Sequence, residues 1–171
     1  GRVWVSPPGN LYSSTLIRLQ PGWPPVSNLV TLIALAVKDS LSSQLLKDQQ
    51  LALKWPNDVL LNGQKLTGML LETGGFVQGA PTWVIAGIGI NLKHAPPAAD
   101  ALYPPTSLAD QGCPDPDPAQ VALDLQAAIA QEIEAWLKVG FDPARRRFLA
   151  SVYRLKQELN VGTTADKGQD E

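Results

Sequence analysis

The sequence is poor in cysteine, in net charge and in long apolar runs, and each shortage excludes a class of protein. A single cysteine, Cys113, cannot form a disulfide within the chain or supply a metal site made of several cysteines. Fourteen basic and sixteen acidic residues leave a formal net charge of −2, whereas a nucleic-acid-binding domain normally carries a basic face. No apolar run is long enough to span a bilayer, and no signal peptide is visible. We therefore expect a cytoplasmic protein without a membrane partner.

What is present is typical of a globular domain with a hydrophobic core. The chain has 171 residues, of which 44% are hydrophobic and 18% charged, and this length is sufficient for one domain. The first residue is glycine rather than methionine, and the last residues are mostly polar. We therefore expect the chain to be part of a longer protein.

Hydrophobic periodicity predicts alternating strands and helices along the chain. Strands are expected at 10–19, 51–55 and 82–92, helices at 26–47, 117–137 and from 142 onward, and a proline-rich irregular loop at 93–118. Asn62-Gly63 lies between two apolar runs, and this pair favours a two-residue hairpin turn. The order of elements predicts a mixed α+β fold.

Strand 82–92 is nearly all apolar, so we expect it to be buried on both faces of the sheet. Its two glycines, Gly87 and Gly89, suggest that a ligand or another backbone comes close to the strand at these positions.

The segment KWPNDVLLNGQKLTGMLLE, residues 54–72, carries chemistry that a sheet core does not need. It places two lysines, Lys54 and Lys65, and an acid, Asp58, around a tight turn. Together with the later GIGINL at 87–92, this segment resembles the biotin protein ligases in order and spacing. The opening GRVWVSPPGNLYSSTLIRL resembles the end of the nucleotide loop of that family and the strand that follows it.

The resemblance implies a fold and a division of the chain. The fold would be a mixed, mainly antiparallel sheet flanked by helices, as in the biotin ligases and class II aminoacyl-tRNA synthetases. Residues 1–158 would form the catalytic domain without its N-terminal part, and residues 159–171 would begin a C-terminal β-barrel domain or a linker. DNA would be a partner only if a further N-terminal domain precedes the chain, as in some members. Whether the protein forms a homodimer is left open by the sequence.

The resemblance also implies a two-step reaction. Biotin and ATP would form biotinyl-AMP and pyrophosphate, and a lysine of a biotin carboxyl carrier protein would then take the biotinyl group and release AMP. Mg²⁺ would accompany ATP, held by phosphates and water, so no protein metal ligand is assigned. The alternatives are a lipoate or octanoate ligase of the same superfamily, or a truncated module that binds without turnover. The chain by itself is expected to be inactive.

Three residues are predicted to be catalytic by their match to the family. The first step joins two anions and needs fixed cations, for which Lys65 and Arg2 are the candidates. The second step needs a group that receives or holds the amine of the carrier lysine, and Asp58 matches that role. A solvated lysine near a turn and a turn-capping aspartate are the structural alternatives.

The binding residues are predicted in two sets. Those for biotin are Lys65, Gly68, Leu70, Tyr12, Ile88 and Gly89. Those for the nucleotide are Arg2, Trp4, Asn57, Lys54 and Asn91. The glycines would allow close approach to the biotin ring. For the apolar residues of these sets, packing in the hydrophobic core is the structural alternative. Trp55 is equally consistent with a core residue and with a site residue.

Overall fold

A five-stranded antiparallel sheet forms the centre of the protein. The computed structural model describes residues 6–97 and 101–153, so Arg2, Trp4 and the predicted second segment at 159–171 lie outside the described residues. The sheet order is β1-β5-β4-β3-β2, with bounds β1 Leu11–Arg18, β2 Leu51–Lys54, β3 Asp58–Leu61, β4 Gln64–Gly74 and β5 Trp83–Ile90. Three α-helices, α1 Leu29–Leu41, α2 Pro118–Val139 and α3 Asp142–Ser151, complete the fold. The predicted α+β class with a mainly antiparallel sheet is confirmed.

The helices cover one face of the sheet and leave the other face open. Val84, Ala86 and Ile88 of β5 are buried against the helical side. On the other face of the strand, Trp83, Ile85 and Gly87 are only partly buried. The expectation that this strand is buried on both faces was therefore wrong. Gly87 and Gly89 count as apolar in the sequence but have no side chains to bury. The apolar composition of β5 therefore does not mean that side chains are buried on both faces of the strand.

Helix α1 is the centre of the core, and it is shorter than its periodicity predicted. Ten of its thirteen residues are buried, but the helix gives way to 3₁₀ turns at Val26–Asn28 and Ser42–Gln44. Ser42 donates its hydroxyl to the Lys38 carbonyl at 3.1 Å. Serine competes in this way with the helical backbone pattern, and a pair of serines is a poor helix interior.

The Asn62-Gly63 pair forms the predicted hairpin between β3 and β4. Both residues have positive φ, 51° for Asn62 and 82° for Gly63, as a primed turn between twisted strands requires. The Asn62 side chain accepts a hydrogen bond from the Gln50 amide at 3.1 Å. The turn is therefore fixed both by its own residues and by a contact to the loop before β2.

A β-bulge follows directly after this turn. Val59 pairs with Thr67 but Leu60 pairs with Lys65, so Leu66 is an extra residue on β4. Leu66 and Thr67 are consequently both buried. Lys65 and Gly68, three positions apart, would face opposite sides of a regular strand, and the bulge brings both to the open face.

The remaining helices pack over the core and are tied together by one arginine. Arg147 on α3 donates hydrogen bonds to Glu132 on α2 at 2.7 Å and to Asp39 on α1. Burial lowers the pKa of Arg147, but its hydrogen bonds and charge interactions with Glu132 and Asp39 together outweigh burial and raise the pKa above its ordinary value. None of the helices in residues 6–97 and 101–153 is long and apolar enough to cross a membrane.

Helix α2 begins as predicted. The Asp117 side chain accepts a hydrogen bond from the Ala119 amide at 2.9 Å, and Pro118 occupies the first helical position. The described residues of the preceding proline-rich segment, 93–97 and 101–116, belong to no helix or named strand, but the segment is anchored at Thr106 and Leu108. The Thr106 amide donates to the Lys65 carbonyl at 2.9 Å and the Leu108 amide to the Asn91 carbonyl at 3.1 Å.

Candidate active site

The open face of the sheet carries a cavity of about 760 Å³. Strands β1, β5 and β4 form its floor, and the turn before β3 forms one wall. The lining residues are Tyr12, Ser13, Ser14, Asn57, Asp58, Lys65, Gly68, Met69, Leu70, Gly87, Ile88 and Gly89. A cavity of this volume is within the range of small-molecule sites.

Asp58 lies at the polar end of the cavity between two lysines. Its Oδ2 accepts a hydrogen bond from Lys54 Nζ at 3.0 Å, and its Oδ1 is 2.6 Å from Lys65 Nζ. The contact to Lys65 is a close ion pair without hydrogen-bond geometry, so Oδ1 has no hydrogen-bond donor among the described residues. The carboxylate is only 7% exposed. Asp58 and the two lysines thus form a compact charged cluster at the edge of the cavity.

Lys65 is held in place through its backbone. Its amide donates to the Pro104 carbonyl at 2.9 Å, and its carbonyl accepts from the Thr106 amide at 2.9 Å. These two bonds form a short parallel bridge beside the bulge. The backbone is thus fixed on both sides while the side chain, which is 37% exposed, reaches into the cavity.

Lys54 is placed behind Asp58 rather than in the cavity wall. It belongs to β2, pairs in register with Asp58 on β3, and is not among the lining residues. Its Nζ lies 4.9 Å from the centroid of the Tyr103 ring. The position of Lys54 therefore supports a role in holding Asp58 better than it supports a direct contact to the nucleotide.

Asn57 fixes the turn that presents Asp58. Its side-chain amide donates to the Met69 carbonyl at 2.8 Å, and its own carbonyl accepts from the Met69 amide at 2.9 Å. Trp55, two residues earlier, is 62% exposed and contacts Phe148 edge-on, so it is not a core residue.

The other end of the cavity is apolar. Tyr12 and Leu70 line it, and Leu70 is 60% exposed there. The cross-strand pair Gly68 and Gly89 keeps the floor free of side chains. Ile88 lines the cavity and is also part of the buried core, with 3% exposure. Its predicted contact to biotin stays a prediction.

Asn91, predicted to bind the nucleotide, contacts the loop that follows β5. Its side-chain amide donates to the Thr106 carbonyl at 3.0 Å, and it is not among the residues lining the cavity. The amide anchors the loop that holds Lys65. Arg2 and Trp4 lie outside the described residues, so their predicted roles stay predictions.

Sequence reasoning missed the contribution of the loop at 103–106. Tyr103, Pro104 and Thr106 contact the two lysines that flank Asp58. The proline-rich composition indicates a loop but says nothing about the residues that it contacts. In the sequence, no signal connects Tyr103 to Lys54, which lies 49 positions earlier.

The described residues do not form a metal site. No group of three or more His, Cys, Asp or Glu side chains within residues 6–97 and 101–153 could hold a metal ion. Asp58, the acid in the cavity, has both oxygens next to ammonium groups. The site is instead suited to a molecule with an apolar body and an anionic head, since its apolar floor ends at a lysine.

Comparisons with known proteins identify the family of protein ligases to which this fold and this site belong. Residues 1–91 match the model of the biotin/lipoate A/B protein ligase family. The chain belongs to this family. It is 38% identical over 174 residues to the biotin–[acetyl-CoA-carboxylase] ligase of Paracoccus denitrificans, covering 98% of this chain and 72% of that protein.

Solved structures of biotin protein ligases have the same fold. The Aquifex aeolicus enzyme in complex with biotin and ATP matches with a TM-score of 0.72 and 26% identity, covering 89% of this chain and 62% of that one. The Leishmania major enzyme in complex with biotinyl-5-AMP matches with a TM-score of 0.72 and 25% identity, covering 99% and 70%. The chain thus spans only part of these relatives.

Proposed function

We propose that the full-length protein is an ATP-dependent biotin ligase that forms biotinyl-AMP and transfers biotin to a lysine of a biotin carboxyl carrier protein. The observation that carries the proposal is the Lys54–Asp58–Lys65 cluster at the polar end of an apolar cavity. The similarity to named biotin–[acetyl-CoA-carboxylase] ligases supports biotin rather than lipoate as the acid.

In the first step, the carboxylate of biotin attacks the α-phosphate of ATP and pyrophosphate leaves. Two anions must meet, and Lys65 Nζ is the cation at the cavity end where the carboxylate of a bound acid would arrive. We assign to Lys65 the neutralisation of charge between carboxylate and phosphate. Gly68 and Gly89 give the ring system close access to the floor, and Tyr12 and Leu70 contact its apolar parts.

In the second step, the carrier amine attacks the acyl carbon and AMP leaves. The unperturbed pKa of a lysine is about 10.4, so the amine arrives mainly as an ammonium ion. Asp58 lines the cavity, and its Oδ1 is paired with Lys65 Nζ at 2.6 Å. Once Lys65 engages the anionic ligand, this oxygen is in position to accept the amine proton or to hold the ammonium.

Mg²⁺ would enter this site with the phosphates of ATP, where it would neutralise their charge. The described residues offer no set of side chains to hold it directly, so we assign no step to it. The cytoplasmic location and the division at residue 158 are likewise proposals. They are supported by the single cysteine and by the resemblance, respectively.

The two roles are separable by mutation in the full-length protein. Lys65→Ala should lower biotin-dependent pyrophosphate release by about 10²-fold or more, as for loss of a transition-state donor. Asp58→Asn should preserve more of that release but slow transfer from preformed biotinyl-AMP by roughly 10²- to 10⁴-fold. This transfer defect should shrink as pH rises toward the pKa of the amine.

Parallel incubations with lipoate and octanoate are the control for the substrate class. If the wild-type protein released pyrophosphate with either acid and not with biotin, the biotin assignment would be wrong. If Lys65→Ala formed biotinyl-AMP at the normal rate, or Asp58→Asn transferred it normally at neutral pH, the roles would be assigned to the wrong residues.

A further inference from the structure

The loop at 103–106 contacts both lysines of the site, although it lies outside the segments that resemble the family. Pro104 and Thr106 bond the backbone of Lys65. Tyr103 contacts the other lysine, with its ring centroid 4.9 Å from Lys54 Nζ. An ammonium group within about 6 Å of an aromatic centroid is attracted to the ring.

The Tyr103 ring is itself held from the other side. It contacts the Tyr153 ring edge-on, with centroids 5.9 Å apart and planes at 79°. Tyr153 follows α3, and its amide donates to the Leu53 carbonyl at 2.8 Å, next to Lys54 on β2. Tyr103 is thus packed between a ring fixed to β2 and the lysine of the same strand.

Lys54 has two neighbours that restrict its ammonium group. Asp58 Oδ2 accepts its hydrogen bond at 3.0 Å on one side, and the Tyr103 ring lies on the other. The Lys54 side chain is 27% exposed, and lysine loses much rotamer freedom when it is held in one geometry. A ring that already restricts Lys54 therefore stabilises the hydrogen bond that orients the Asp58 carboxylate.

We propose that Tyr103 is a positioning residue that acts through Lys54 to orient the Asp58 carboxylate for transfer of biotin to the carrier lysine. The proposal rests on the proposed function. Tyr103 is not among the residues that line the cavity, so its effect should fall on the step that uses Asp58 and not on adenylation.

The experiment compares Tyr103→Leu with Tyr103→Phe in the full-length protein. Tyr103→Leu should slow single-turnover transfer from preformed biotinyl-AMP to a biotin carboxyl carrier domain by roughly three- to tenfold, the range of one cation–π contact. Biotin-dependent pyrophosphate release should stay close to the wild-type rate. Tyr103→Phe keeps the ring and should restore transfer.

Two further variants make the test specific. Leu102→Ser changes the neighbouring residue, which is 88% exposed, and should leave both steps unchanged. The double variant Tyr103→Leu with Lys54→Met should transfer no more slowly than Lys54→Met alone, because residues that act through one another are not additive.

The outcomes separate this inference from the proposed function. If the wild-type protein performed neither step, the proposed function would fail. If the wild type performed both and Tyr103→Leu transferred normally, or lost both steps equally, Tyr103 would have no positioning role. Thermal unfolding of each variant shows whether an equal loss comes from a weakened fold.

Discussion

Gly68→Ala should preserve the fold and obstruct the site. Gly68 lies on β4 at the cavity floor, opposite Gly89 on β5. A Cβ at this position would lie 3.6 Å from Cε and Nζ of Lys65 and 3.9 Å from Asp58 Oδ1. These are ordinary van der Waals distances, so the added methyl group fits the ligand-free protein.

The magnitudes follow from this geometry. Glycine within a strand costs roughly 0.5–1 kcal/mol relative to alanine, so the free energy of unfolding of Gly68→Ala should be equal to that of the wild type or slightly higher. The methyl group would project beside the ion pair, where we propose that the carboxyl end of biotin binds. Overpacking of this kind costs about 1–3 kcal/mol, which corresponds to a roughly 5- to 150-fold loss of biotin affinity.

The assay combines thermal unfolding with calorimetric titration of biotin. Gly74→Ala is the matched control on the same strand, because a Cβ there would collide with the Trp83 ring. That variant should lose thermal stability, whereas Gly68→Ala should not. Unchanged biotin affinity in a folded Gly68→Ala protein would refute the assignment of this floor to biotin, and an unfolded variant would refute the steric argument.

Two predictions concern stability. Gly63→Ala should cost about 1–2 kcal/mol, because its φ of +82° is unfavourable for alanine and its Cβ would lie 3.2 Å from the Tyr153 hydroxyl; a denaturant midpoint equal to the wild type would contradict this. Arg147→Met should lower the free energy of unfolding by roughly 1–2 kcal/mol, because it leaves the buried Glu132 unpaired; this figure already allows for solvent screening at the 47% exposed Arg147 side chain. The matched control Arg146→Met changes an exposed arginine and should leave the stability unchanged. The folded-state pKa of Arg147 is raised, so its contribution to stability is complete below the ordinary pKa of arginine and is lost only as the pH rises through the raised folded-state pKa. The difference from the wild type should therefore be constant between about pH 7 and 10, and a difference that vanished in this range would contradict the assignment.

Local patterns predicted the elements well where the chemistry of a few residues decides the structure. Asn62-Gly63 forms the hairpin because both residues accept positive φ, and Asp117-Pro118 begins α2 because aspartate caps and proline fits the first turn. Helix α1 ends earlier than its apolar spacing suggested, because Ser42 bonds back to the helix and the chain changes direction. Periodicity does not register such competing hydrogen bonds.

The site was predictable in its chemistry and only partly in its geometry. Lys65, Asp58 and Gly68 line one cavity together, as the spacing of the 54–72 segment suggested. Ile88 and Asn91 were assigned to ligands by resemblance, but Ile88 packs in the core and Asn91 bonds the Thr106 carbonyl. Whether a residue near a site faces the ligand or supports a neighbour depends on contacts that are distant in sequence.

The sequence by itself determined which residues form strands and where the chain turns. It also determined that lysines and an acid lie near an apolar strand that contains glycines. These properties depend on residues within a few positions of one another. Only the tertiary structure decided which of them face each other. The bulge at Leu66 turns Lys65 to the same face as Gly68, and the loop at 103–106 reaches across the fold to fix both lysines. A register shift of one residue and a contact between remote segments arise from packing, which no local pattern encodes.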